Sequence, residues 1–209
     1  MPAHRLAVDW GGMRHLRAAA EVASPTDDGG LLSRAQGGDN GAFRALFLRH
    51  GPAVRRLLGA LFRDDSAADE ATQETFVRAH AALGSVREAT RLQAWLLGVA
   101  RIVWLDEAER QRRSQRFPAL FRSGEETLSP SAEQDLLSAE ADSALAKALG
   151  RLGPERRTAL LLRLDQGVPY ADIALAMGWP LHKVKNEIHR ARLEIRAELL
   201  AYLAGETWP

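Results

Sequence analysis

The sequence predicts an all-α protein of two small helical domains joined by a flexible linker. Apolar residues recur at three- and four-residue steps through most of the chain, which is the period of a helix with one buried face. Alternating runs of apolar and polar residues, typical of half-buried strands, are absent. Proline and glycine stand mostly between the periodic stretches, where they end helices and form loops.

Composition sets the outer limits of this interpretation. The 209 residues allow one domain or two small ones, and the hydrophobic fraction of 46% is ordinary for a globular protein. The 28 basic and 27 acidic side chains give a net charge of +1. Only the distribution of charge along the chain can therefore indicate a nucleic-acid ligand.

Several classes of site are excluded by what the sequence lacks. The absence of cysteine rules out disulfides, zinc fingers and thiol catalysis. No phosphate-binding loop, nucleophile–base pair or metal cluster is recognisable, so we expect no enzyme activity, cofactor, metal or small-molecule substrate. No apolar run approaches the roughly 18–20 residues that span a bilayer. The N-terminus has no signal-peptide pattern, so we expect a cytoplasmic protein.

The first domain is predicted at 31–113, after an N-terminal extension at 1–30 that has the composition of turns and loops. In its longest early helix, apolar residues at Phe43, Leu46 and Val54 fall on one face. The predicted helices of this domain are Leu31–Gln36, Asn40–Phe62, Ser66–Leu83 and Leu92–Arg113.

A linker is predicted at 114–131, where prolines and small polar residues accompany the loss of helical period. The second domain follows at 132–204. Its predicted helices are Ala132–Leu149, Gly153–Asp165, Tyr170–Met177 and Leu181–Leu203.

The last two of these helices have the pattern of a helix-turn-helix, in which two short helices cross through a tight turn. Ala174 is the small residue at the crossing, and Gly178 is a turn residue that tolerates positive φ. The apolar residues that hold the two helices together are Ile173, Met177, Val184 and Ile188. The alternative is an ordinary helical hairpin with a solvated basic face.

The second helix of this unit has a basic outer side. From Lys183 to Arg196, five basic and two acidic residues give a local charge of +3, which predicts a phosphate-facing surface. His182 and His189 have no third ligand nearby, so the pattern does not indicate a metal site. The outward residues are His182, Lys183, Asn186 and Arg190, with Lys185, His189 and Arg192 beside them.

An acidic stretch opens the third predicted helix. Asp65 or Ser66 can cap that helix, and early acids suit the positive end of its dipole. Gln73 and Glu74 lie beyond the first turn, and Glu70 repels Glu74 one turn away. Capping therefore explains only part of the acidic stretch, and the remainder indicates a surface for a basic or polar partner.

The fourth predicted helix starts apolar and ends charged. A core helix whose end extends into solvent has this pattern, and so does a helix whose basic end meets a nucleic-acid backbone. The loop before it, Gly84–Arg91, contains Arg87 and Arg91 and is suited to holding an unstacked base. Residue types alone leave both interpretations open.

In this order, the segments resemble the sigma-70 superfamily, and specifically its extracytoplasmic-function sigma factors. Asp69–Phe76 resembles the family's region 2.2, and Gln93–Arg101 with Arg110–Arg113 resembles regions 2.3 and 2.4. Leu152–Arg157 and the helix-turn-helix are similar to region 4. The resemblance covers about 31–203 and implies a region-2 domain, a linker and a region-4 domain.

The resemblance also implies the partners. Core RNA polymerase would meet region 4 on its β flap and would meet, on its β′ clamp, Asp69, Glu70, Gln73 and Glu74. The −10 promoter element would be opened and read by Arg87, Arg91, Arg101, Arg110, Arg112 and Arg113. The −35 element would be read by His182, Lys183, Lys185, Asn186, Glu187 and Arg190. An anti-sigma factor that wraps between the domains, and control of a stress or envelope regulon, are implied as well.

Five positions depart from the family pattern. Ile102 stands where Asn is common, and Pro169 and Pro180 replace cap-like serines but suit a first helical turn. Glu187 occupies a recognition-helix position that is usually Arg, and Lys183, which replaces a Thr, partly compensates for its charge. A carboxylate near phosphate lowers affinity, although it can accept a hydrogen bond from cytosine, so we expect an unusual −35 preference.

Two alternatives to a promoter-specificity subunit remain from the sequence. A stand-alone helix-turn-helix regulator would explain the second domain but leave the acidic stretch and the helix around Trp95 without a role. A sigma-like interaction module that has lost promoter recognition is compatible with Ile102 and Glu187. Affinity for core polymerase separates the first of these from a sigma factor.

Overall fold

The computed structural model describes residues 28–62, 64–115, 144–145 and 147–203. Almost all of the predicted N-terminal extension and linker, and most of the predicted helix Ala132–Leu149, lie outside the described residues. Every regular element in the described part of the chain is an α-helix or a short 3₁₀ turn, so the all-α prediction is confirmed.

The helices follow one another closely in the sequence. In the described residues they are α1 (Asp28–Gln36), α2 (Asn40–Leu61), α3 (Asp65–Ala82), α4 (Leu92–Gln115), α5 (Pro154–Leu164), α6 (Tyr170–Met177) and α7 (Leu181–Leu203). Two 3₁₀ turns, Leu83–Ser85 and Ala89–Arg91, connect α3 to α4. Helical residues at 144–145 and 147–151 precede α5.

Helices α1–α4 pack into a first bundle around the apolar face of α2. Leu57 and Leu58 of α2 and Leu97 of α4 are completely buried. Phe47 of α2 meets Phe76 of α3 edge to face, with ring centroids 4.6 Å apart. Helices α5–α7 form a second bundle, which is held together by its own leucine, isoleucine and valine side chains.

The start of α3 differs from the prediction in its capping residue. The cap is Asp64, not Asp65 or Ser66, because its extended backbone lets the carboxylate accept from the N–H groups of Ser66 at 3.0 Å and Ala67 at 3.3 Å. Such a cap stabilises a helix by about 1 kcal/mol. Asp65 instead forms an ion pair with Arg55 of α2.

The turn between α6 and α7 is the one that the sequence predicts. Gly178 has φ 64° and ψ 31°, a left-handed conformation that costs glycine little. The N–H of Trp179 donates to the carbonyl of Ala174 at 3.0 Å, which closes the end of α6. Pro169 and Pro180 lie just before α6 and α7, so neither proline interrupts a helix.

The two bundles lie against each other, and their buried residues form one continuous apolar cluster. Helix α4 packs along α6 so closely that a Cβ atom on Gly98 would lie 2.9 Å from the carbonyl oxygen of Ala176. Real Cβ atoms essentially never come so close, so only glycine fits this position. The guanidinium of Arg157 on α5 also donates to the Ala60 carbonyl of α2 at 2.8 Å.

A buried histidine lies beside the start of α1. The Nε2 atom of His50 is 3.1 Å from Oδ2 of Asp28, and 7% of the His50 side chain is exposed. Burial lowers the pKa of His50 below its ordinary value of 6.5, and this effect outweighs the opposing attraction of Asp28.

Acid is therefore expected to destabilise the first bundle through His50. Because the folded state disfavours the charged imidazole, the unfolded chain binds the proton more readily, and stability falls as the pH drops below about 6.5. Thermal unfolding midpoints between about pH 7.5 and 5.5 measure this. The His50→Gln variant should show a smaller decrease across that interval, and an equal decrease would contradict the assignment.

Candidate nucleic-acid interface

The first three turns of α7 carry the residues predicted to read the −35 element. Five of the six are exposed, namely His182, Lys183, Lys185, Asn186 and Arg190. Val184 and Ile188, which alternate with them, are 0% and 1% exposed and fix the opposite side of the helix in the core. Since a helix turns once in 3.6 residues, this alternation gives α7 one buried face and one basic outer face.

An aromatic contact positions the first basic side chain of α7. The Nζ atom of Lys183 lies 4.2 Å from the centroid of the Trp179 ring, within the range of a cation–π interaction. Trp179 directly follows the turn glycine. No role was predicted for Trp179 from the sequence, although an aromatic residue four positions before a lysine is a recognisable signal.

Glu187 is placed differently from the other five. Its side chain is 16% exposed and faces α5, where its Oε2 accepts from Nε of Arg156 at 2.7 Å. Its Oε1 accepts from Nη1 of Arg190 at 3.3 Å. Arg156 also pairs with Glu194, and the hydrogen bond to Glu187 is the main cause of a raised Arg156 pKa.

Most residues predicted to contact the −10 element are exposed, but they form two groups. The exposed residues are Arg87, Arg91, Arg110, Arg112 and Arg113. Arg91 precedes α4, and Arg112 is near its end, about 30 Å away by helical rise. Ion pairs of Arg91 with Glu88 at 2.9 Å and of Arg110 with Glu107 at 2.8 Å are exposed and cost little to open.

Arg101 faces the second bundle instead of solvent. Its side chain is 15% exposed, its Nη1 lies 3.0 Å from Oε1 of Glu155 on α5, and its Nε donates to the Ala176 carbonyl of α6 at 3.4 Å. These contacts, together with the close approach at Gly98, occupy the middle of α4. Arg101 is therefore covered by the second bundle in this arrangement.

The four residues predicted to contact the polymerase lie on α3. Glu70 and Glu74 are exposed, whereas Asp69 and Gln73 are partly buried. Val77, for which no role was predicted, is 64% exposed and falls on the same face as Glu70 and Glu74. The outer face of α3 thus carries two exposed acidic residues followed by an exposed apolar residue.

Glu74 and Asp69 of α3 form salt bridges with neighbouring arginines. Glu74 accepts from Nε of Arg78 at 2.7 Å, and Nη1 of the same arginine donates to Asp106 of α4 at 2.6 Å. These two bonds raise the pKa of Arg78. Asp69 is paired with Arg55 of α2. Arg78 therefore links Glu74 of the acidic face to Asp106 of α4.

Two classes of site do not occur among the described residues. No described helix is both long and apolar enough to cross a bilayer. No group of three histidine, aspartate or glutamate side chains lies close enough together there to hold a metal ion.

Comparison with known proteins accounts for both bundles. The Sigma-70 region 2 family matches residues 46–114, and the Sigma-70, region 4 family matches residues 142–195. The RNA polymerase sigma-H factor of Pseudomonas aeruginosa is 31% identical over 174 residues, which cover 78% of this chain and 88% of that protein. The ECF RNA polymerase sigma factor SigM of Mycobacterium tuberculosis is 33% identical over 199 residues, which cover 94% of this chain and 91% of that protein.

Two solved structures have a similar fold, and one of them is described as a sigma factor. CnrH, solved in complex with the cytosolic domain of CnrY, is 26% identical with a TM-score of 0.58 and covers 82% of this chain and 96% of its own. The sigma factor RpoE of Bartonella quintana, solved with the anti-sigma factor NepR, shares the fold at 24% identity with a TM-score of 0.58. The match covers 75% of this chain and 96% of RpoE.

The match to region 2 explains the first bundle, which a stand-alone helix-turn-helix regulator leaves without a role. The match to region 4 includes the turn at Gly178 and the basic face of α7. The chain therefore belongs to the sigma-70 family of RNA polymerase sigma factors, within its extracytoplasmic-function group.

Proposed function

We propose that this chain binds core RNA polymerase in the cytoplasm and directs it to promoters through two DNA-reading surfaces, and that it catalyses no step itself. The basic outer face of α7 carries this proposal, because Val184 and Ile188 hold the helix rigidly while its cations point outward. A helix held in this way can enter the major groove with its first turns against the base edges.

The acidic face of α3 is the surface proposed to bind the polymerase β′ clamp. Glu70 and Glu74 supply negative charge, and Val77 supplies apolar area that a protein partner can bury. The bonds from Arg78 hold Glu74 in place before binding, so little side-chain entropy is lost on association.

An apolar groove between α5 and α7 is the surface proposed to bind the polymerase β flap. The groove has a volume of about 280 Å³. Its lining residues are Leu160, Leu164, Arg192, Ile195, Arg196, Leu199 and Leu200. Leu164 and Leu200 are 56% and 55% exposed there, and the two arginines give the rim a positive charge. An amphipathic helix with an acidic edge fits such a groove.

Reading of the −10 element is proposed to require separation of the two bundles. Arg87, Arg91 and the basic end of α4 are accessible as they stand, but Arg101 is bound to Glu155 and to the Ala176 carbonyl. Those contacts must break before Arg101 can reach a phosphate. The arrangement of the structure is therefore a closed form that limits DNA binding before the polymerase is engaged.

Control by an anti-sigma factor is also proposed, because such a partner can act by stabilising the closed form. The solved relatives RpoE and CnrH are found with the anti-sigma factor NepR and with the cytosolic domain of CnrY. A partner that contacts both bundles of this chain would stabilise the closed form by binding it alone. We extend this to a stress or envelope regulon released when the partner is removed.

The proposed role of α7 is tested by the variants Lys183→Ala and Arg190→Ala. Each removes one outward cation, so transcription that depends on the −35 element should fall about tenfold while affinity for core polymerase stays unchanged. Run-off transcription and core-binding titrations measure the two effects separately. Lys147→Ala removes an exposed cation that is not part of α7 and serves as the control. Equal loss of both activities would show that the residues fold the domain instead.

A further inference from the structure

One ionic network ties the recognition helix to the helix before it. Arg156 of α5 reaches two carboxylates of α7, Glu187 and Glu194, which are seven residues apart and therefore on the same side of that helix. The Arg156 side chain is 28% exposed, and the Glu187 side chain is 16% exposed. This interhelical pairing is thus more shielded than the exposed ion pairs of α4.

Both oxygens of Glu187 are engaged in this network. Oε2 accepts from Nε of Arg156 at 2.7 Å, and Oε1 accepts from Nη1 of Arg190 at 3.3 Å. Arg190 itself is 63% exposed on the outer side of α7. Glu187 therefore links Arg156, which holds its carboxylate on the α5 side, to Arg190, which lies on the outer side of α7.

We propose that Arg156 is a positioning residue for promoter recognition, since it withdraws the Glu187 carboxylate from the DNA-facing side of α7. The proposal rests on the proposed role of α7 in reading the −35 element. It explains how a helix that must approach phosphates retains a carboxylate at this position.

The physical reason is charge. A carboxylate beside phosphates weakens binding. The planar guanidinium of Arg156 satisfies Glu187 and Glu194 at once, which a lysine ammonium does not match in geometry. Removal of Arg156 leaves the charge of Glu187 free to act on the DNA side.

The test uses holoenzyme reconstituted from core polymerase and each full-length variant. The probes are a promoter fragment mapped with the wild-type holoenzyme and the same fragment with its upstream element scrambled. In Arg156→Ala, affinity for the intact fragment should fall about tenfold, with core binding unchanged. Adding Glu187→Gln to Arg156→Ala should restore affinity to within about twofold of wild type, because this second substitution removes the carboxylate charge that Arg156 no longer holds.

Two controls separate positioning from folding. Arg151→Ala removes another interhelical pair, with Glu198 at 3.3 Å, about 16 Å further along α7, and should leave promoter affinity unchanged. In the Arg156→Ala background, Glu194→Gln should not restore affinity. Wild-type affinity in Arg156→Ala, or equal rescue by Glu194→Gln and Glu187→Gln, would overturn the proposal.

The milder variant Arg156→Lys keeps the test valid if Arg156→Ala reduces helical content. It retains a cation but lacks the planar fork, so it should lose severalfold in affinity, and Glu187→Gln should restore that loss too. Absence of rescue in this background would also overturn the proposal. If the wild type itself fails to distinguish the intact from the scrambled fragment, the proposed role of α7 is wrong, and that outcome is distinct from loss of the positioning effect.

Discussion

The Gly98→Ala variant is expected to separate the two helical bundles while leaving each bundle folded. The added Cβ would lie 2.9 Å from the carbonyl oxygen and 3.3 Å from the Cα of Ala176, both of which are backbone atoms that cannot rotate away. Overpacking of this kind costs about 1–3 kcal/mol, so the closed form should become about tenfold less populated. Within α4 itself, alanine is the better helix former by about 1 kcal/mol.

The measurement exploits the absence of native cysteine. Cysteines introduced at the exposed positions Ser66 and Leu193 take one dye each, and energy transfer between them should fall in Gly98→Ala. Gly29→Ala is the matched control, because Gly29 also lies in a helix and a Cβ there meets nothing within 4 Å. Release of Arg101 should also raise affinity for promoter DNA in the absence of polymerase. Unchanged energy transfer and unchanged DNA affinity would contradict the closed-form proposal.

Charge reversal at Glu74 is expected to have the largest effect on polymerase binding. Glu74→Lys places a cation in the acidic face of α3 and abolishes the bond from Arg78, so affinity for core polymerase should fall about tenfold or more. Titration of labelled protein with sigma-free core polymerase measures the change. Higher salt should reduce the difference between variant and wild type, because the interaction is partly exposed.

A control of the same kind is available on α4. Glu109 is also exposed and also pairs with an arginine one turn later, Arg113, at 3.5 Å. Glu109→Lys therefore makes the same change in charge outside the proposed clamp surface, and it should bind core polymerase as the wild type does. Wild-type affinity in Glu74→Lys, or an equal loss in Glu109→Lys, would contradict the assignment of the clamp surface to α3.

Sequence reasoning succeeded where structure is determined locally. The bounds of α6 and α7 and the left-handed conformation of Gly178 followed from helical period and from one glycine between two apolar patterns. The division of α7 into a buried and a basic face followed from the same period. Membership of the sigma-70 family, inferred from the order of four short motifs, is confirmed by the comparisons.

Contacts between residues that are distant in the chain could not be predicted from the sequence. Gly98 resembles any glycine inside a helix, and no nearby feature of the sequence predicts its close contact with the backbone of Ala176. Arg101 was assigned to the −10 element by resemblance alone, and its contact with Glu155 depends on how the bundles pack. The partner of Glu187 is 31 residues away, so its departure from the family pattern was visible but its pairing with Arg156 was not.

One experiment tests the sigma-factor assignment most directly. The purified protein is mixed with sigma-free core polymerase, binding is measured, and the 5′ ends of transcripts made in vitro from genomic DNA are sequenced. We expect tight binding and transcripts that begin downstream of a shared two-part motif, whose upstream half defines the −35 preference of α7. A protein that does not bind core polymerase, and so produces no such transcripts, would contradict the proposed function.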